Sequence, residues 1–296
     1  MRSVKFKSFS SGSCGNLYLL GTEENGVITD AVIIDAGVSL RTFKKELAAE
    51  HIPIDAIRAI LVTHDHMDHI RSLGSYCKYL KLPVWATPEL LYAMMYHTYT
   101  LDHLPSVKRE LRDGEWNEIV PDLIYARYFV VPHDATQTVG YGILIDGLKF
   151  VIMTDIGSMT GEALSFASHA DAVVVESNFD TEMLLNGPYP PDLKQRIISG
   201  CGHLSNSLCA EAVKRFYHRE LTHIFLCHLS ENNNTPELAY KATSDALTDI
   251  GLVPSYPNSS VFCAEDGDSV IMQPLPRTSP SRLFTLRQET DAILQA

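Results

Sequence analysis

A chain of 296 residues with 45% hydrophobic and 20% charged side chains has the composition of an ordinary soluble globular protein, long enough to bury a sizeable core. Its formal net charge of -12 speaks against a broad basic surface for nucleic acid or anionic membrane, although a pocket filled with cations would still attract a phosphate at short range. No apolar run reaches membrane-span length, and the six cysteines lack a C-x-x-C pair, so reduced, small core thiols and a cytoplasmic location are the expectation.

Val4 to Phe9 and Asn16 to Leu20 read as strands joined by Ser10-Ser11-Gly12-Ser13-Cys14-Gly15, either a plain hairpin loop or one whose amides and hydroxyls line a cleft. Ala31 to Ile34 is a buried strand ending in Asp35-Ala36-Gly37, and Ser39 can cap a helix running from Leu40 towards His51. Asp35 either supports a later histidine or satisfies a turn. The short apolar strand Ala59-Ile60-Leu61-Val62 then delivers Thr63-His64-Asp65-His66-Met67-Asp68-His69 at its carboxyl end, a position that catalytic loops favour. Imidazoles and a carboxylate without a thiolate suit zinc, or manganese or iron, in a hydrolytic site better than a structural cysteine site. A tight turn can direct His64 and His66 to one point and Asp68 and His69 to a second, so one loop can serve two metals.

Beyond it, Ile70 to Leu80 has helical spacing, Pro83 to Ala86 strand character, and Thr87-Pro88-Glu89 a helix start. Tyr92 to Leu104, rich in Met and Tyr, is either core and lid packing or a substrate-facing flap. Two strands fall within Ile119 to Val131 and lead to His133, and Asp146-Gly147 marks a hairpin between Tyr141 to Ile145 and Leu148 to Met153. That second strand delivers Asp155. A helix near Gly161 to Ser168 precedes the buried strand Ala172 to Val175, which ends in Glu176-Ser177-Asn178, and helices near Thr181 to Leu185 and Asp192 to Ser199 follow. Ser205 or Asn206 caps a helix from about Leu208 to Tyr217, Ile224 to Cys227 is a strand with His228 at its end, and Thr235-Pro236 opens a helix to about Ile250. Two short strands come next, and Arg277 to Ala296 reads as either a frayed tail or a packing helix. The repeated order of strand, polar residue and helix at His64, His133, Asp155, Glu176 and His228 suggests side chains gathered on one rim.

His64-x-His66-x-Asp68-His69, then isolated His133, Asp155 and His228 after hydrophobic strands, resembles the ordered signature of the metallo-β-lactamase superfamily. Ser11-Gly12-Ser13-Cys14-Gly15-Asn16, Val131-Pro132-His133-Asp134-Ala135, Glu176-Ser177-Asn178-Phe179-Asp180 and Gly202-His203-Leu204-Ser205-Asn206 look like the YycJ (WalJ) type within it, over roughly residues 4 to 255. The segment around 92 to 104 and the last twenty or so residues depart from that pattern. The resemblance implies an α/β fold, the αββα sandwich of two mixed β-sheets flanked by helices, with residues 1–275 as the metallohydrolase domain and 276–296 as a tail of uncertain structure. It further implies two divalent metal ions, one held by His64, His66 and His133, the other by Asp68, His69 and His228, with Asp155 bridging.

Such a centre fixes the reaction type, attack by a metal-activated hydroxide that Asp68 would orient, and leaves the substrate open. His203 before a helix N-terminus, with Ser205, Asn206 and Lys194 or Arg196, is a candidate to clamp a phosphate or protonate a leaving oxygen; Ser13, Asn16, Asn178 and Asp180 are further candidates for substrate contact. The expected activity is a phosphodiesterase or exonuclease acting on DNA. A small-molecule ester, lactone or thioester hydrolase and a metal-bound sensor without turnover are the alternatives.

Overall fold

The rim on which the polar residues gather is the common edge of two stacked sheets, and the order of strands explains why they meet there. In the computed structural model, which describes residues 2–256 and 259–288, β1 (Arg2–Gly12), β2 (Gly15–Glu24) and β3 (Val27–Ile34) form an antiparallel meander. The chain then passes through α1 (Leu40–Ala49) to β4 (Ile57–Leu61), through α2 (Met67–Ile70) and α3 (Leu73–Leu80) to β5 (Val84–Ala86), and through α4 (Pro88–Met95) to β6 (Lys108–Glu110). Strands β3 to β6 are parallel neighbours, as crossover helices require. The helical spacing expected from Ile70 to Leu80 is realised as two helices, because Arg71 and Ser72 interrupt it.

The second sheet begins with β7 (Asn117–Val120), β8 (Ile124–Val131), β9 (Thr138–Ile145) and β10 (Leu148–Met153). The β9–β10 turn has φ of 49° at Asp146 and 75° at Gly147, the left-handed pair that its sequence favours. After α5 (Gly161–Ala167) come β11 (Ala172–Glu176), α6 (Thr181–Asn186), α7 (Pro191–Ile198), α8 (Asn206–Phe216), β12 (His223–Cys227) and α9 (Pro236–Asp249). Short strands β13 (Val253–Pro254), β14 (Val261–Cys263) and β15 (Ser269–Pro274) complete this sheet. Its order is β13-β14-β15-β12-β11-β10-β9-β8-β7. Strands β10, β11 and β12 are parallel, and two antiparallel steps through β9 give β8 the same direction. The residues that follow these four strands therefore leave from one edge.

Phe284–Gln288 forms β16, which returns to the first sheet and pairs antiparallel with β1, giving the order β16-β1-β2-β3-β4-β5-β6. This segment had read as a frayed tail or a packing helix; residues 289–296 of that expectation lie outside the described residues. The two mixed sheets, faced by helices, make the α/β sandwich expected from the sequence. Phe6 of β1 shows how they join: its ring centroid lies 5.3 Å from that of Phe150 and 4.8 Å from that of Phe225, both on the opposing sheet. Burying a phenylalanine this way contributes about 1.5–3 kcal/mol. A second cluster, including Val173, Val213 and Phe216, fills the space between the outer face of the second sheet and its helices. Among the described residues no helix is long and apolar enough to cross a membrane. Cys77, Cys209 and Cys227 are small core residues as expected, whereas Cys14 and Cys201 are exposed.

At the start of β12, His223 is buried, hydrogen-bonded to the Thr222 hydroxyl and stacked on Phe225. Burial first, and then the Arg282 cation, lower its pKa to about 4. The unfolded chain therefore takes up a proton that the folded one refuses: the stabilisation is complete above about pH 6.5 and is lost as pH falls towards about 4. Replacing His223 with Gln is expected to flatten the dependence of Tm on pH across that window, a difference of up to about 3 kcal/mol between wild type and variant in parallel thermal melts.

Candidate metal centre

Loop geometry at the strand ends places the site residues. Asp35 follows β3 with φ 62°, Asp155 follows β10 with φ 51°, and His228 follows β12 with φ 54°, all in the left-handed region that non-glycine residues seldom occupy. Such strain persists only where surroundings over-determine it, and it clusters at functional sites. Here the Asp35 amide donates to Leu61 O at 2.8 Å, and the His228 amide to the Ser11 hydroxyl at 2.9 Å. Gly37 completes the support. Its amide donates to Asn16 O at 2.9 Å, and a Cβ there would lie 1.6 Å from Asp68 O, so only glycine lets the β3 loop touch the histidine-bearing loop.

Buried Asp35 organises that loop. Its carboxylate accepts from the Thr63 amide at 2.8 Å, from the Thr63 hydroxyl, and from His69 Nδ1 at 2.7 Å. The sequence left open whether Asp35 supports a histidine or satisfies a turn, and the first reading holds. With Nδ1 so engaged, His69 Nε2 faces Asp155 Oδ2 at 3.1 Å and Asp68 Oδ2 at 3.5 Å. His133 donates from Nδ1 to Gly202 O at 2.7 Å, which directs its Nε2 the other way. Glu176 does the same on the far side, contacting His203 Nδ1 at 2.7 Å and His228 Nδ1 at 3.1 Å through Oε1 while Oε2 accepts from the Ile156 and Leu204 amides.

Within this cluster four buried polar atoms, Nε2 of His64, His133 and His228 and Oδ2 of Asp155, are left without a hydrogen-bond partner. Their residues all belong to sets that each offer ligand atoms within 4.8 Å of one another, namely His64, His66 and His133; His64, His69 and Asp155; Asp68, His69 and His228; and Asp155, Glu176, His203 and His228. Buried polar groups are nearly always satisfied, so convergent orphans of ligand type fit a metal. Electrostatics agree. Burial, with His69 beside it, holds His64 well below the usual imidazole range, and burial likewise lowers His133. Burial opposes charge on Asp68 and Asp155 too, yet His69 beside the first and His228 beside the second hold both carboxyls below their ordinary range. At His228 the same penalty is overcome first by Asp155 and then by the neighbouring Asp68 and Glu176 carboxylates, and its pKa rises to about 10. These carboxylates demand positive charge, and a divalent cation supplies it in place of protons.

The cluster opens into a cleft of about 260 Å³ lined by Ser13, His66, Asp68, His133, Asp155, Asn178, Arg196, His203 and His228. The Ser10 to Gly15 loop is thus both a hairpin turn and a wall of the cleft. Asn16, just behind that wall, donates to Asp68 Oδ2 at 3.1 Å and sits 2.8 Å from His69 Nε2. Asn178 donates to His228 O at 2.7 Å, and Arg196 pairs with Asp134, which also lines the cleft. Four residues expected to face substrate are engaged elsewhere. Asp180 caps α6 through Met183 N, Lys194 donates to Leu185 O, Ser205 caps α8 through Leu208 N, and Asn206 is buried in a network with Ser177 and Asn234. Glu176 was legible only as a polar residue at a strand end. Its grip on two histidines, one of them 52 residues away, requires the fold.

A family model described as a beta-lactamase superfamily domain matches residues 30–224. Exodeoxyribonuclease YycJ of Bacillus anthracis is 33% identical over 248 residues, 84% of this chain and 90% of its own. Exodeoxyribonuclease WalJ of Streptococcus pneumoniae serotype 2 is 32% identical over 248 residues, again 84% of this chain and 90% of that one. In fold, the metallo-beta-lactamase fold protein YhfI from Bacillus subtilis superposes with a TM-score of 0.59 at 15% identity, covering 82% of this chain and 93% of its own.

Proposed function

The chain belongs to the beta-lactamase superfamily, and from that membership we propose that it is a metal-dependent exonuclease that hydrolyses phosphodiester bonds of DNA. The observation that carries this reading is the convergence of four unpartnered, buried ligand atoms on one cleft, in a chain whose curated relatives are named exodeoxyribonucleases. In this assignment His64, His66 and His133 would hold one divalent ion, Asp68, His69 and His228 a second, and Asp155 would serve both; imidazole and carboxylate donors suit zinc, with manganese or iron as alternatives. Bound there, such a pair supplies hydroxide at neutral pH and polarises the phosphoryl oxygen.

The chain's own residues do the rest. Asp68, at the cleft wall and ionised, is placed to accept a hydrogen bond from the attacking water and orient it. Burial resists charge on His203, but the Glu176 carboxylate against Nδ1 overrides it and raises the pKa of that imidazole. His203 can then pair with an anionic phosphate and return a proton to the leaving oxygen. Arg196, Ser13 and Asn178 border the same cleft and would contact the phosphate or sugar. Glu176→Gln keeps the side chain's shape and removes the charge, so kcat/KM is expected to fall about 10–100-fold with the fold retained, as read from steady-state rates beside a circular dichroism spectrum. A cytoplasmic location completes the reading.

The test is incubation of metal-loaded protein with end-labelled single-stranded DNA, with bis-p-nitrophenyl phosphate, and with a panel of lactones. Progressive shortening of the DNA from an end supports the proposal. Turnover of lactones with no phosphodiester cleavage overturns it.

A further inference from the structure

Among the described residues 11 of the 24 Lys and Arg side chains form an ion pair with a carboxylate, Arg2, Lys5, Arg58, Lys214, Arg219 and Lys241 among them. One band differs. Among the described residues Arg41, Lys44 and Lys78 make no ion pair, and Arg71, directly after α2, donates to the backbone carbonyl of Cys14. All four line two adjoining hollows. The first, of about 260 Å³, is bordered by Arg71, Lys78, Tyr79 and Tyr99; the second, of about 530 Å³, by Arg41, Lys44 and Tyr79. Ser75 and Tyr79 belong to both, so the hollows form one groove, and Asp102 is its single carboxylate.

The aromatic rings in this groove are open to solvent, Tyr79 by 64% and Tyr99 by 55%. Their backbone is held firmly. A Cβ at Gly74 would lie 2.0 Å from Tyr99 O, so α3 and the Tyr99 segment pack backbone to backbone, and buried Thr100 anchors the same segment to Met94 O. Lys78 Nζ lies 5.3 Å from the centre of the Tyr79 ring. Rigidly mounted rings interleaved with unmatched cations are what a single strand requires, because successive phosphates meet the cations while unpaired bases stack on the rings. A duplex hides its base faces and gains only the charge. The groove also lies next to the cleft in the chain: Ser13 lines the cleft, and the following residue, Cys14, accepts from Arg71 of the groove.

We propose that the groove of Arg41, Lys44, Arg71, Lys78, Tyr79 and Tyr99 binds single-stranded DNA and feeds it to the metal cleft. This deepens the exonuclease reading and rests on it. It also gives the Met- and Tyr-rich segment a role as a substrate-facing surface.

The experiment measures binding apart from hydrolysis, by fluorescence anisotropy of metal-loaded protein with a labelled, phosphorothioate-linked oligothymidylate long enough to span both hollows. Tyr79→Ala and Tyr99→Ala are each expected to raise Kd about 5- to 100-fold. Lys78→Ala is expected to lower the slope of log Kd against log salt by about 0.7. Duplex of the same length should be little affected by loss of the tyrosines, and hydrolysis of bis-p-nitrophenyl phosphate should match wild type in all three variants, so that the defect appears in KM for long single strands. Unchanged Kd and salt slope overturn the proposal, as do equal losses on duplex or tighter binding of RNA of the same sequence. If wild type cleaves neither DNA nor bis-p-nitrophenyl phosphate, the exonuclease reading falls, while the anisotropy series still decides the groove.

Discussion

His64→Ala is expected to lower kcat/KM on bis-p-nitrophenyl phosphate by about 10³-fold and to leave purified protein depleted of divalent metal by elemental analysis, with its circular dichroism spectrum unchanged. The reasons lie in the burial and charge of this imidazole. His64 is fully buried, its Nε2 has no protein partner, and burial together with His69 keeps it neutral, so no proton must leave before it can donate a lone pair to a cation. Alanine removes a donor shared by two of the four clustered sets while leaving the Asp35–Thr63–His69 hydrogen bonds in place. Metal content and rate near those of wild type would show that the orphaned atoms are not ligands.

Gly37→Ala has the largest expected effect on the folded state. One added methyl group would sit 1.6 Å from Asp68 O and 2.6 Å from Asn16 N, and both are backbone atoms that cannot swing aside. The β3 loop must separate from the histidine loop, breaking the Gly37–Asn16 hydrogen bond and straining that from Ala36 N to His69 O. A loss of about 3 kcal/mol or more follows, or roughly 10 °C in Tm, and Asp68 and His69 are displaced with it. Thermal melts and metal titration should therefore fail together. A variant that melts like wild type would mean that the loops are free to part.

Much of this architecture is written locally in the chain. The histidine loop is legible because its donors are nearly consecutive, and His133, Asp155 and His228 because each ends an apolar strand. The direction of those strands, which makes one rim of many ends, is fixed by pairings that no short window contains. The same limit applies to the side chains around the cleft. Ser205 and Asp180 follow the same strand and turn patterns as cleft residues, but helix caps claim their oxygens, and Asn206 is claimed by Asn234 from 28 residues away. Strand β6, with the sequence Lys108-Arg109-Glu110, was missed because an edge strand can be wholly charged. Strand β16 was missed because its partner lies about 280 residues earlier, with Phe284 opposite Phe6.

That last pairing bears on how the molecule is made. The Ser8 amide donates to the Ser281 hydroxyl and the Ser11 amide to Arg277 O, while the Ser11 hydroxyl accepts from the amide of His228. During synthesis the opening hairpin must wait, with one edge bare, until some 270 further residues have left the ribosome. Local helices and the meander can form early, but closing so long a loop is slow. A chain halted before β12 would expose its histidine loop without His228, the last residue of the cluster to be made.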